Sequence, residues 1–496
     1  MDSSVEPIGF KGSLKRQTHR SIVWTIAGAA GNQFFAFVVF LLLARLLTKE
    51  ALGTYALGWI FVEIGSVIAS AGVTQLVARA KTLSNSQLDT ILWSNMALGA
   101  LYCAGMFALA PYAAESFHTP DLGPVLRWLT LPIIIGALGS THMALRMREF
   151  GHSTVAARSL VSGLFGGDAA VVAALLGAGV WSLVLQRLIR DSVGTVLAWG
   201  AYRWRPGFDI DAKEVKSNLV FSAELAFARL ITILTQRTQD LMIGKLMSAV
   251  ALSTYKVAWR CTELLGPSIV SPFSTVALQT FSRLQDHPEE CASAYLGLMR
   301  KCSMAVVPAL VGYGIAGPWL VPALFGAKWA DSGWIAPALM LLTIPLLVSS
   351  FVTTLLWSVG KVSVRRQLAL LELASTVVVT AFTIRYGLLW VALGYSLRAN
   401  LILPFYFAVA KRAGGIGVRQ HLASIQPSLV AALAMSMLLL PALIAFNTRN
   451  LLLLAPLCLG GAAAYVGILF LLVPDELQSI VRFAKASIRE RTARPA

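Results

Sequence analysis

The chain has 496 residues, of which 57% are apolar and only 13% charged, about half the charged share of ordinary soluble proteins. Some 283 apolar residues exceed what a soluble fold of this length hides, because apolar atoms already supply over half of a typical exterior. The low polarity excludes disorder, five cysteines exclude a disulfide scaffold, and the formal charge of +17 suggests nucleic acid only if the protein is soluble.

A bilayer crossing takes about 20 apolar residues. Runs bounded by charge, glycine, proline or polar clusters predict membrane helices at Ile22–Ala44, Leu52–Val77, Ile91–Ala110, Val125–Ala144, Leu160–Leu176, Trp181–Ala201, Leu219–Ile243, Ala251–Ala277, Cys302–Leu324, Trp334–Val359, Leu368–Ile384, Leu388–Ala410, Leu429–Phe446 and Leu451–Val473. The fold class expected is therefore all-α, a polytopic membrane protein of about 14 transmembrane helices. Lys11 to Arg20 before the first run resembles a signal peptide, but the run is too long, so a retained span is expected. Of the 41 Lys and Arg residues, 27 fall in loops of one side, 7 on the other side and 7 within spans. Cytoplasmic loops carry such an excess, which predicts both termini in the cytoplasm and removes the nucleic-acid reading.

The chain repeats itself at an offset of 200. Leu41 to Tyr55 lies over Leu241 to Tyr255, and identity continues at Trp59/Trp259 and Glu63/Glu263. A weaker echo pairs Pro111 and Phe117 with Pro318 and Phe325. Six spans per unit is an even number, so the halves would be parallel repeats about an axis along the membrane normal. The expected organisation is a cytoplasmic segment (1–21), a six-helix half (22–201), a second half (219–410), an appended helix pair (427–473) and a basic tail (474–496). Such a two-fold bundle with a central cleft suits alternating access.

Ionisable groups at membrane depth are costly and face a cavity or one another. The spans hold Glu63, Asp168, Arg187, Arg190, Asp191, Glu224, Arg229, Arg237, Asp240, Lys256, Arg260, Glu263, Glu372 and Arg398. Arg187, Arg190 and Asp191 share a helix face, as do Lys256, Arg260 and Glu263. A tight hairpin near 244–250 would bring Asp240 to the depth of Lys256, pairing it with Lys256 or Arg260. Equal numbers of acids and bases allow static ion pairs. The functional reading is a basic lumen in which Arg187, Arg190, Arg229, Arg237, Lys256 and Arg260 bind an anionic substrate, since the guanidinium fork matches phosphate. Glu63, Asp168, Asp240 and Glu263 are then candidates for ion coupling, as buried carboxylates take up protons more readily. There is no phosphate-binding loop, the six histidines show no metal spacing, and no cofactor, metal or nucleic-acid partner is expected.

The stretch Leu43 to Tyr55 resembles the first-loop signature of the polysaccharide transporter family, flippases of lipid-linked oligosaccharide within the multidrug/oligosaccharidyl-lipid/polysaccharide superfamily. Arg146 to Phe150, Gly177 to Val184, Asp240 to Gly244, Tyr255 to Ala258, Leu324 to Trp329 and Ser358 to Lys361 resemble further landmarks in order, nearest to colanic acid and teichuronic acid exporters. One arginine usual in the family before the phenylalanine is here Met147 or Glu149. The resemblance implies a bacterial inner-membrane protein that passes an undecaprenyl-diphosphate-linked repeat unit across the bilayer as its halves rock. Spans 13 and 14 would cradle the lipid, with an ion gradient or the membrane potential as energy source. Implied partners are the lipid-linked oligosaccharide, membrane lipid, and polysaccharide polymerase and export machinery. The alternatives are a cation-coupled drug antiporter, which usually has twelve spans and an acid-rich cavity, and a membrane glycan polymerase, which usually carries a large periplasmic loop.

Overall fold

The computed structural model describes residues 31–70, 72–79, 83–149 and 151–476. The expected cytoplasmic segment 1–21 and the tail beyond residue 476 lie outside the described residues. Every described apolar run is helical, and no strand occurs among the described residues. Two compact units meet between Lys256 and Val257.

The first unit holds α1 (Gly31–Leu46), α2 (Lys49–Ser70), α3 (Val73–Arg79), α4 (Asn85–Ser116), α5 (Leu122–Arg148), α6 (His152–Leu175), α7 (Trp181–Ala201), α8 (Ala212–Leu246) and the start of α9 (Ala249–Leu265). α5 packs on α2, α4 and α7, and α6 on α7, around a core that includes Val62, Cys103, Leu129, Ile133 and Val184. In lipid the drive for helix association is close packing, which small residues permit. A side chain at Gly139 would press on Thr195 and Ala198 of α7, and one at Gly166 would meet the Gln186 carbonyl at 2.8 Å.

α8 runs antiparallel along α2 in a fixed register. Leu57 fills the space over Gly244, Glu63 meets Arg237, and Val67 packs with Ile233 and Ala226. Beyond them a Cβ on Gly72 would lie 2.7 Å from Ser222 Oγ. The start of α9 crosses α2 so tightly that a Cβ on Gly53 would lie 1.9 Å from the Ala249 carbonyl oxygen.

The second unit continues with α10 (Pro267–Arg283), α11 (Pro288–Phe325), α12 (Ala330–Gly333), α13 (Ala336–Met340), α14 (Thr343–Ser358), α15 (Val362–Thr383), α16 (Leu388–Gly414), α17 (Val418–Phe446) and α18 (Leu451–Leu472). α11 is central, touching α10, α13, α14, α17 and α18. Its Tyr295, Met299 and Cys302 pack with Phe281, Phe351 and Ile425 in a large apolar core. His421 donates from Nδ1 to the Gly417 carbonyl and accepts the Tyr295 hydroxyl on Nε2. Cys291, expected in a loop, is buried on α11.

The predicted spans map onto these helices with informative breaks. Ala251–Ala277 divides at Gly266–Pro267, where proline lacks the N–H that would continue α9. Trp334–Val359 falls on a pair of segments, Ala327–Met340 and Thr343–Ser358, bent by 57°. Leu160–Leu176 and Trp181–Ala201 are separate helices as expected, parted at Gly177 and Gly179, whose φ values of +82° and +56° favour glycine. Ten helices are long and apolar enough to cross a membrane, or eleven with the bent pair as one span, among the described residues. α1 has 16 described residues, α9 and α10 have 17 each, and α7 carries Arg187, Arg190 and Asp191. The protein is thus an all-α, multi-pass membrane protein.

Two turns at the aligned positions are built alike. α1 ends at Leu46 and α2 starts at Lys49; α8 ends at Leu246 and α9 starts at Ala249. In both turns a hydroxyl caps the next helix: Thr48 Oγ1 accepts from the Ala51 N–H at 3.2 Å, and Ser248 Oγ from the Ala251 N–H at 3.0 Å.

Candidate functional site

Four of the ionisable residues predicted from the spans converge in the first unit. Arg237 on α8 donates from Nε to Glu63 Oε2 on α2 at 2.7 Å, and its Nη1 lies 3.4 Å from Asp240 Oδ2. Lys256 on α9 reaches the same Asp240 oxygen at 2.9 Å. Asp240 is 5% exposed, so its charge rests on these two cations. The arrangement follows from the sequence: Arg237 and Asp240 stand three residues apart on one helix, and the α8–α9 turn returns Lys256 to their level. Beside them the Tyr255 hydroxyl donates to the Gln239 side-chain oxygen. Two acids and two bases make this group neutral as a set.

A second group on α6 and α7 is not balanced. Arg187 and Asp191, one turn apart, pair at 2.7 Å. The Arg187 guanidinium also lies 4.7 Å over the ring of Trp59, which stacks on Tyr55. Arg190 is half-buried and forms no ion pair among the described residues. Arg158 of α6 donates from Nε to the Gly194 carbonyl of α7 at 2.6 Å. A side chain on Gly194 would press on that guanidinium, and Gly166 lets α6 approach the Arg190 backbone. Three guanidiniums thus stand with one carboxylate, a surplus of positive charge on α6 and α7.

The remaining predicted residues do not join these groups. Arg260 pairs with Glu263 on its own helix at 2.8 Å. Arg229 and Asp168 are exposed on α8 and α6. Sequence reasoning assigned Arg158 to a cytoplasmic loop, but α6 begins at His152 and carries it into the helix pair. It also gave no role to Glu372, Arg365, Arg398 and Tyr406 of the second unit. The Glu372 carboxylate accepts the Tyr406 hydroxyl and lies 3.6 Å from Arg365. Arg398, 7% exposed, donates to the Glu372 carbonyl at 3.1 Å and covers the Tyr395 ring. Opposite charges on adjacent spans were the available signal. Among the described residues no group of His, Cys, Asp or Glu is arranged to hold a metal ion.

A family model described as polysaccharide biosynthesis protein matches residues 42–333. The lipopolysaccharide biosynthesis protein WzxC of Escherichia coli K12 is 24% identical over 445 residues, covering 86% of this chain and 89% of that protein. The teichuronic acid biosynthesis protein TuaB of Bacillus subtilis 168 is 20% identical over 319 residues, 64% of this chain and 66% of that protein. Among solved structures, the lipid II flippase MurJ in an inward closed conformation shares the fold, with a TM-score of 0.74 over 92% of this chain and 100% of that chain at 11% identity.

Proposed function

The chain belongs to the polysaccharide biosynthesis protein family, and from that premise we propose that it flips undecaprenyl-diphosphate-linked oligosaccharide across the bacterial inner membrane, for exopolysaccharide, capsule or O-antigen assembly. The observation that carries this reading is the positive surplus of Arg158, Arg187 and Arg190 against Asp191. A cation surplus at membrane depth is costly unless an anion joins it, and a diphosphate matches the paired donors of arginine. Arg187 and Arg190 are the leading substrate contacts, with Arg237, Lys256, Arg260 and Arg229 as further cations along the path. A cation-coupled drug antiporter would want the opposite surplus.

The Glu63–Arg237–Asp240–Lys256 group suits coupling, because protonating either acid would free a base for the anion. Alternating access of the halves 22–201 and 219–410, an appended pair at 427–473, cytoplasmic termini and an ion or potential gradient complete the proposal, with polymerase and export machinery as partners. The test is Arg190→Ala. Membrane insertion should be normal, export of the polymer should fall at least about tenfold, in line with the loss of one charge-assisted contact, and Arg190→Lys should restore part of it. Undiminished export by the alanine variant would sink the anion site.

A further inference from the structure

We propose that residues 202–211 form a fixed strap, keyed by Asp89, which holds the start of α8 on α4 throughout the working cycle. The ten residues joining α7 to α8 are without helix, and such backbone ordinarily satisfies itself with water. Here one face of α4 takes it over. Ser86, Asp89, Thr90 and Trp93 stand at i, i+3, i+4 and i+7, a single stripe on the helix. Asp89 Oδ1 accepts the Gly207 N–H at 2.9 Å, and the Trp93 indole donates to the Gly207 carbonyl at 2.8 Å. Thr90 Oγ1 accepts the Asp211 N–H at 3.2 Å and Ser86 donates to the Asp209 carbonyl at 3.3 Å. Trp93 also stacks on Phe208 with ring centres 4.9 Å apart.

The far end of the strap is held by α5. His142 donates to the Trp204 carbonyl at 3.1 Å, stacks on Trp199 and lies tilted against the Trp204 ring, while the Tyr202 hydroxyl donates to Glu149. Asp89 is 2% exposed and forms no ion pair among the described residues, so the strap supplies the donor that keeps its buried carboxylate hydrogen-bonded. Gly207 permits the close approach: a Cβ there would lie 2.7 Å from Asp89 Oδ2 and displace the carboxylate. Since α8 begins at Ala212, directly after the Asp211 contact, whatever α8 does begins from a point tied to α4.

Two measurements on the full chain test this. In hydrogen exchange, the amides of Gly207 and Asp211 should exchange as slowly as helix amides. Asp89→Ala should speed them about tenfold or more while α5 amides near Leu138 stay protected; equal, fast exchange in both proteins would overturn the strap. In the second, Ser86→Cys and Asp209→Cys are joined by a short cleavable bis-thiol linker in a background free of the native cysteines. A strap that stays in place predicts polymer export within about twofold of the unlinked protein. A fall of tenfold or more that cleaving the linker reverses would show that it must move. The export arm rests on the flippase reading, and a parent that exports nothing indicts that reading alone, leaving exchange to decide the strap.

Discussion

Glu63 and Arg237 are both about three-quarters buried and bond each other at 2.7 Å, so removing one partner strands the other. Arg237→Ala strands the Glu63 carboxylate and leaves Asp240 with Lys256 as its ion-pair partner. Loss of hydrogen bonds to charged groups costs about 1.5–3 kcal/mol, and Arg237→Ala should destabilise the protein by that order in thermal unfolding in detergent. Adding Glu63→Gln should recover part of the loss, because the stranded charge is then gone. Additive losses in the double variant would mean the pair is not coupled. Residues of this kind were half legible in the sequence. Asp240 and Lys256 could be paired from a hairpin and a helical repeat, but the bond from Glu63 to Arg237 joins positions 174 residues apart, which no local period encodes. Glu372 and Tyr406 escaped for the same reason.

Helices show a different limit. The apolar runs mark where helices lie, yet α8, α11 and α17 begin at Ala212, Pro288 and Val418, well before the runs at Leu219, Cys302 and Leu429. Hydropathy reports contact with lipid, and a helix continues past the lipid wherever polar side chains and backbone bonds are satisfied. Glycines separate two effects that can be measured. Gly177 has nothing within 4 Å of a notional Cβ but a φ of +82°, so Gly177→Ala should cost only the left-handed backbone penalty, about 1–2 kcal/mol. Gly53 is helical but faces the Ala249 carbonyl at 1.9 Å from that notional Cβ. Gly53→Val should force α2 and α9 apart, with a larger drop in thermal midpoint and new protease sensitivity near Met247. Equal effects at the two positions would contradict the close approach.

At the scale of the whole molecule, the charge asymmetry makes a topology prediction. A cysteine in place of Lys49 should react with impermeant reagent from outside intact cells, and one in place of Arg365 only after permeabilisation. The reverse pattern would invert the protein in the membrane. The all-α, multi-pass architecture was written in the hydropathy, whereas its division into compact units between Lys256 and Val257 was not, since that depends on which helices touch. The α2–α8 register carries a mechanical consequence. A helix that ratchets past its neighbour moves by about one turn, near 5.4 Å. A one-turn slip would carry Glu63 from Arg237 toward Ile233, set a charge against a buried aliphatic side chain, and drive Leu57 off Gly244 in the same stroke. The two helices therefore behave as a key seated in its lock: they can be withdrawn from each other or left engaged, but they have no halfway notch in which to rest.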